Sequence, residues 1–208
     1  MNNDSSPGED QRTTDITGQH LVIISGPSGA GKSTVVRSLL QGCPLPLVLS
    51  VSATTRPARE GEADGVDYHF LSSDEFLQKQ QQKLFLETKQ VFGRGYWYGT
   101  LLQAVTSGLQ AGDWVILEID VEGAASVMEQ LPDVVTIFLH AGSTEELERR
   151  LRARGTDSEE SIERRLEVAQ AEIGRAGDYS HVIENADPDK AARDICEILV
   201  ASENTPDA

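Results

Sequence analysis

The stretch LVIISGPSGAGKSTVVRSLLQG, residues 21–42, constrains the fold more than any other part of this 208-residue chain. Four apolar residues and a serine run straight into Gly26–Ser33, which matches G-x-x-x-x-G-K-[ST], and apolar residues at helical spacing follow at once. A buried strand that enters a helix through a glycine-rich corner turns successive backbone N–H groups inward. Those groups and the positive end of the helix suit phosphate oxygens. Gly26, Pro27, Ser28, Gly29, Ala30, Gly31, Lys32, Ser33 and Thr34 are therefore candidate triphosphate-binding residues. Lys32 would reach the β- and γ-phosphates, and the Ser33 hydroxyl would sit on Mg²⁺.

Four more short apolar runs follow, at 47–52, 114–119, 134–140 and 181–184. Most lack the alternation of a half-exposed strand, so they read as parallel strands covered on both faces. Helical patterns at 32–42, 100–112 and 122–131 lie between them, the first ending at Gly42 and the last stopped by Pro132. This order predicts an α/β fold: a five-stranded parallel sheet with helices on both faces, joined by right-handed crossovers. Residues 53–100 break the rhythm, being aromatic and glycine-rich with one helical segment, SSDEFLQKQQQK, that opens on a Ser or Asp cap. They read as an inserted subdomain. Residues 1–18 and 202–208 are polar and read as a disordered leader and a flexible tail.

The formal net charge of −16 repels polyanions, which argues against binding to nucleic acid or an anionic membrane surface. No apolar run approaches the length needed to span a bilayer, and the N-terminus lacks the pattern of a secretory signal. A soluble, cytoplasmic protein is expected. Cys43 and Cys196 are far apart in sequence and suggest neither a disulfide framework nor a metal site; both read as reduced thiols, with Cys196 on the apolar side of a helix. No feature marks an interface, so a monomer or weak homo-oligomer is expected.

Against this acidity, arginines cluster. Arg56 and Arg59 stand three apart in SVSATTRPAREGEADGVDY, residues 50–68, and seven of the 13 arginines fall between residues 149 and 175. A pair such as Arg56 and Arg59 can clamp a phosphate bidentately, with Tyr68 and Tyr98 adding hydroxyl donors. The alternative is a surface pair held by Glu60, Glu62 and other acids. The run LEID places Glu118 and Asp120 at the end of the third strand, where an acidic side chain completes a Mg²⁺ site directly or through water. The chain lacks an N-K-x-D guanine motif and is short for a motor, which leaves a small-molecule kinase.

These residues resemble the guanylate kinase family over about residues 19–201, through ISGPSGAGKST, SVSATTRPAREGE, DYHF, FLE, YWYGT, LEIDVEGA and RRLRARGTDSEESIERRL in the family's order. The resemblance implies a P-loop NTPase core (19–52, 101–144, 180–201), an inserted GMP-binding subdomain (53–100) and a mobile helical lid (145–179). It implies that Arg56, Arg59, Tyr68 and Tyr98 hold the GMP phosphate, with Glu62 and Asp120 also on the GMP side, and that Ser52, Glu87 and Thr100 face the guanine. Lid arginines Arg150, Arg154 and Arg165 would close over the phosphates, and Asn185 would lie near the adenosine. In isolation the lid segment also reads as an exposed helical hairpin laced with ion pairs, a reading kept for Arg149, Arg152 and Arg164. The chain departs from the family at Thr88, where a tryptophan is common, and carries two additional residues in VFGRGYWYGT.

The implied reaction moves the γ-phosphoryl group of ATP onto GMP with Mg²⁺, giving ADP and GDP. Its acceptor oxygen is already ionised at neutral pH, so no general base is needed and none of the four histidines is assigned a role. Two alternatives are a kinase of the same build for another monophosphate, and a noncatalytic interaction module of this fold.

Overall fold

The computed structural model describes residues 16, 18–91, 95–153 and 159–203. The chain opens with β1 (Leu21–Ser25), α1 (Lys32–Gly42) and β2 (Leu47–Leu49). An inserted unit follows: β3 (Ala53–Thr54), β4 (His69–Phe70), α2 (Ser73–Gln81), β5 (Phe85–Val91) and β6 (Tyr96–Leu101). The chain then returns through α3 (Leu102–Ala111), β7 (Trp114–Glu118), α4 (Val121–Gln130) and β8 (Val135–His140). It ends with α5 (Thr144–Ala153), α6 (Glu159–Ile173), β9 (His181–Glu184) and α7 (Pro188–Glu203).

The predicted five-stranded parallel sheet is present in the order β2-β7-β1-β8-β9. Its strands are apolar on both sides because both sides are covered. Leu21, Ile23, Val115, Leu117 and Phe138 face α3 and α4, whereas Val22, Ile24, Ile116, Ile137 and Leu139 face α1 and α7. Such packing, at about 25 cal/mol per Å² of buried apolar surface, makes β1 the centre of the core. The glycine-rich corner therefore leaves the carboxyl end of the central strand, where ligands of open α/β sheets bind. Ile16 joins this core, and α7 extends to Glu203.

Residues 53–100 hold a four-stranded sheet, ordered β4-β3-β6-β5, that the periodicity did not announce. Strands of two residues, such as β3 and β4, are too short to alternate visibly. The segment's one helix is α2, and it begins as expected. Ser72 Oγ accepts from the N–H of Glu75 at 3.2 Å, and Glu75 Oε2 accepts in turn from the N–H of Ser72 at 2.8 Å. Helix α3 starts at Leu102 rather than at residue 100, because Thr100 and Leu101 complete β6 and pair with β5. The run at 47–52 yields only the three residues of β2 before the chain leaves for the second sheet.

The thiols expected to be reduced form a disulfide. Cys43, just past α1, is bonded to Cys196 of α7, with the Cα atoms 5.6 Å apart across 153 residues of sequence. The spacing concealed this because only the packing of α1 against α7 brings the two together. Cross-linking so long a loop stabilises by about 2–4 kcal/mol. Reductant should therefore lower the melting temperature by about 5–12 °C. The double variant Cys43→Ser/Cys196→Ser should melt at the reduced temperature and no longer respond; equal melting in both redox states would refute a stabilising bond. Among the described residues, no helix is long and apolar enough to cross a membrane.

Candidate active site

The glycine-rich corner is shaped by conformations and approaches that a side chain would block. Gly26 has φ +137°, and a Cβ there would meet the carbonyl oxygen of Leu139 at 2.0 Å. Within the loop the N–H of Ala30 donates to Pro27 O at 3.1 Å, and the N–H groups of Thr34 and Val35 each donate to Gly31 O at 3.1 Å as α1 begins. Lys32 Nζ donates to Gly26 O at 2.5 Å and Pro27 O at 3.1 Å, so its ammonium lies against the loop. Ser33 Oγ donates to Glu118 Oε1 at 2.5 Å, which joins two of the three residues expected at a metal. A hydroxyl and a carboxylate are hard oxygen donors that fit Mg²⁺, an ion that keeps most of its shell for phosphate and water.

The third expected metal residue, Asp120, is engaged elsewhere. As N-cap of α4 it accepts from the N–H of Gly123 at 2.8 Å through Oδ1, and its Oδ2 lies 2.8 Å from Lys89 Nζ.

Two residues from the C-terminal half of the chain, Arg150 of α5 and Asn185 just after β9, reach the loop. Asn185 Nδ2 donates to Ala30 O at 2.7 Å, and Arg150 donates to Asn185 O at 2.7 Å and to Ala30 O at 3.4 Å. Asn185 is 2% exposed, and its Oδ1 is buried without a hydrogen-bond partner. A cavity of about 460 Å³ opens beside it, lined by Ala141, Gly142, Glu146, Arg150, Glu184 and Ala186. A larger one, about 700 Å³, lies between α1 and α7 by the disulfide. It is at the far end of α1 from the loop, whereas the smaller cavity is lined by Arg150, which reaches the loop at Ala30. Arg165 lies half-buried on α6, and Arg154 is outside the described residues. Arg149 and Arg152 are exposed and paired with Glu146, Glu148 and Glu159, as the ion-pair reading had it, and Arg164 is exposed.

In the inserted unit, Arg56 is 8% exposed. Its guanidinium donates to both oxygens of Glu62 at 2.9 Å and to Pro57 O at 2.8 Å, and it lies over the rings of Tyr68 and Phe70. The bond to Glu62 raises the pKa of Arg56, and the Tyr98 hydroxyl adds to that rise; the same bond to Arg56 holds Glu62 below the usual carboxylate range. Tyr68 meets Tyr98 edge to face, and burial pushes its phenol up. Thus Arg56, Tyr68, Tyr98 and Glu62 do converge. Arg56 is a buried, braced cation rather than a surface one, and three of its five donors are used by Glu62 and Pro57. Arg59 is exposed, and its backbone N–H donates to Glu62 at 2.7 Å.

Glu87 and Thr100 face each other across β5 and β6, next to a register shift after Phe85 that re-aims the strand. Thr100 Oγ1 donates to Glu87 Oε1 at 2.8 Å. Burial pushes the Glu87 carboxyl up to about 7; the Thr100 bond opposes this and the charge on Asp120 adds to it. Ser52 is half-buried between the two sheets, and its carbonyl accepts from the N–H of His69 at 2.9 Å. Thr88 points to the opposite face of β5 from Glu87, where it accepts from Gln80 of α2 at 2.9 Å. Sequence reading missed Lys89 and the half-buried Glu172 of α6. The available signal for Lys89 was its place two residues after Glu87, on the same strand face.

A family model described as guanylate kinase matches residues 18–202. A guanylate kinase of Rhodopirellula baltica is 56% identical over 187 residues, spanning 89% of this chain and 89% of that one. One from Caldanaerobacter subterraneus is 42% identical over 181 residues, spanning 87% and 86%. A crystal structure of guanylate kinase from Anaplasma phagocytophilum, 34% identical, superimposes with a TM-score of 0.72 over 89% of this chain and 86% of its own.

Proposed function

This chain belongs to the guanylate kinase family of ATP:GMP phosphotransferases, and from that premise we propose which of its residues hold each nucleotide and how they act. ATP lies with its triphosphate on the Gly26–Thr34 loop and its adenosine toward Asn185. GMP lies in the inserted unit, its phosphate on Arg56, Arg59, Tyr68 and Tyr98, its guanine edge on Glu87 with Thr100 and Ser52. The observation that carries this is the buried Glu87 carboxylate, 8% exposed and held by Thr100 at 2.8 Å. Guanine offers N1–H and N2–H₂ side by side, which one carboxylate can accept; adenine lacks that pair and would leave a buried acceptor unpaired.

The chemistry is positioning and charge neutralisation. The acceptor is a phosphate oxygen already ionised near pH 7, so no residue need remove a proton. Arg56 is fixed before GMP arrives: Glu62 locks the guanidinium plane, and the aromatic rings beneath it limit its motion, so little entropy is lost on binding. Lys32 moves from the loop carbonyls onto the γ-phosphoryl oxygens and offsets the charge there. Arg150, and with it Arg154 and Arg165, closes over the phosphates and excludes water. Ser33 and Glu118 would hold Mg²⁺, which when bound would supply neutralisation of phosphate charge. Asp120 serves the GMP side, given its other bonds.

We place the enzyme in the cytoplasm, where both nucleotides are used; reducing conditions there would open the Cys43–Cys196 bond. The test of the substrate is ADP release with GMP, AMP, UMP and dTMP. GMP should exceed each of the others in kcat/KM by at least about 10²-fold. Equal or better turnover of any of the three would overturn the assignment of Glu87.

A further inference from the structure

Glu87 and Lys89 project from the same face of β5, the face turned toward α4. There Lys89 Nζ lies 2.8 Å from Asp120 Oδ2 and 3.0 Å from Glu122 Oε2. Glu87 meets the same helix at Gly123, where a Cβ would stand 3.0 Å from Glu87 Oε2. Asp120 is thus gripped at both oxygens, Oδ1 by its own helix and Oδ2 by a lysine from the second sheet.

We propose that Lys89 is a positioning residue for GMP: a cationic latch that ties the base-reading strand to the head of α4 and holds Asp120 and Glu87 at the spacing that reads the guanine edge. This rests on the reading of Glu87 as the guanine acceptor. The latch joins the inserted unit to the core, because β5 belongs to the first and α4 to the second.

Charge makes the lysine necessary. Four carboxylates, Glu87, Asp120, Glu122 and Glu172, meet here from β5, α4 and α6, and Lys89 acts on each of them. Without it, like charges would push β5 away from α4. The Lys89 side chain is 21% exposed and its pair with Asp120 is partly shielded, so water and salt weaken it less than an ordinary surface pair. Glu122, at 68% exposed, adds little. Thr88 looks the other way, toward α2, so it does not share this task.

The test compares Lys89→Met and Lys89→Arg with the unaltered chain, using GMP and IMP, which lacks the 2-amino group, as acceptors. Lys89→Met should raise KM for GMP about 5- to 20-fold, leave kcat and KM for ATP within about 2-fold, and narrow the preference for GMP over IMP. Lys89→Arg should restore KM for GMP to within about 3-fold, since its cation reaches the same carboxylates. An unchanged KM for GMP in Lys89→Met, an equal rise in both KM values, or no rescue by arginine would overturn the latch. These outcomes differ from failure of the Glu87 reading, which would show as an unaltered chain that uses IMP as well as GMP and would remove the latch with it.

Discussion

Lys32→Ala should lower kcat by about 10²- to 10³-fold while the melting temperature moves by no more than a few degrees. The lysine opens α1, and its ammonium donates to Gly26 O at 2.5 Å and Pro27 O at 3.1 Å. Each of those bonds contributes only about 1 kcal/mol net, and the loop's shape comes chiefly from its glycines and from the bonds of Asn185 and Arg150 to Ala30. Stability should therefore change little. In the transition state, however, charge spreads over the γ-phosphoryl oxygens in a site from which water is excluded, and no other cation stands on the loop itself. ADP release at saturating ATP and GMP, beside a thermal melt, reads both quantities. Turnover within about 3-fold of the unaltered chain would remove Lys32 from the chemistry.

Glu87→Gln should separate stability from recognition. The folded carboxyl titrates at about 7, above the ordinary 4.5, because burial disfavours its charge. An acid raised in this way takes up a proton on folding. Its ionisation therefore opposes folding: the cost is absent below the unfolded value and grows as pH rises through 7. At pH 8 the cost is at most about 3 kcal/mol. Glutamine removes it and still accepts from Thr100, so the variant should be more stable than the parent at pH 8 and equal to it near pH 4.5. Recognition should move the opposite way, because the amide turns a donor toward the donors of guanine; KM for GMP should rise by about 10²-fold or more. In the unaltered chain, KM for GMP should rise as pH falls below 7. Urea midpoints at the two pH values and KM for GMP test this. A variant with near-normal KM, or with no pH-dependent gain in stability, would show that Glu87 is not the buried anion that reads guanine.

The two outcomes together would explain why a carboxylate is kept in a place that disfavours it. Burial that costs stability would be what lets Glu87 reject bases without the paired donors, since water cannot substitute for a missing partner there. The same reasoning applies to Arg56, whose buried guanidinium is tolerated because Glu62 neutralises it before any phosphate does.

Much of this was legible in the residues alone. The loop motif Gly26–Ser33 between an apolar run and a helical pattern pointed to phosphate binding and specified the α/β class, because both follow from local backbone chemistry and from strands buried on two faces. The cap at Ser72 was equally local. What the tertiary structure decided depends on contacts between residues distant in sequence. The Cys43–Cys196 bond spans 153 residues, Ser33 meets Glu118 across 85, and Asn185 reaches Ala30 across 155. Two of the four strands of the second sheet, β3 and β4, have two residues each and are too short to show a period, and Lys89 reads as an ordinary surface charge until β5 lies against α4. Periodicity and motifs record what a residue does with its near neighbours; pairing across the fold leaves no such mark, so the latch and the disulfide became visible only when the elements were packed together. The pairing of Arg56 with Glu62, six residues on, was already open in the sequence, and packing decided only that it is buried.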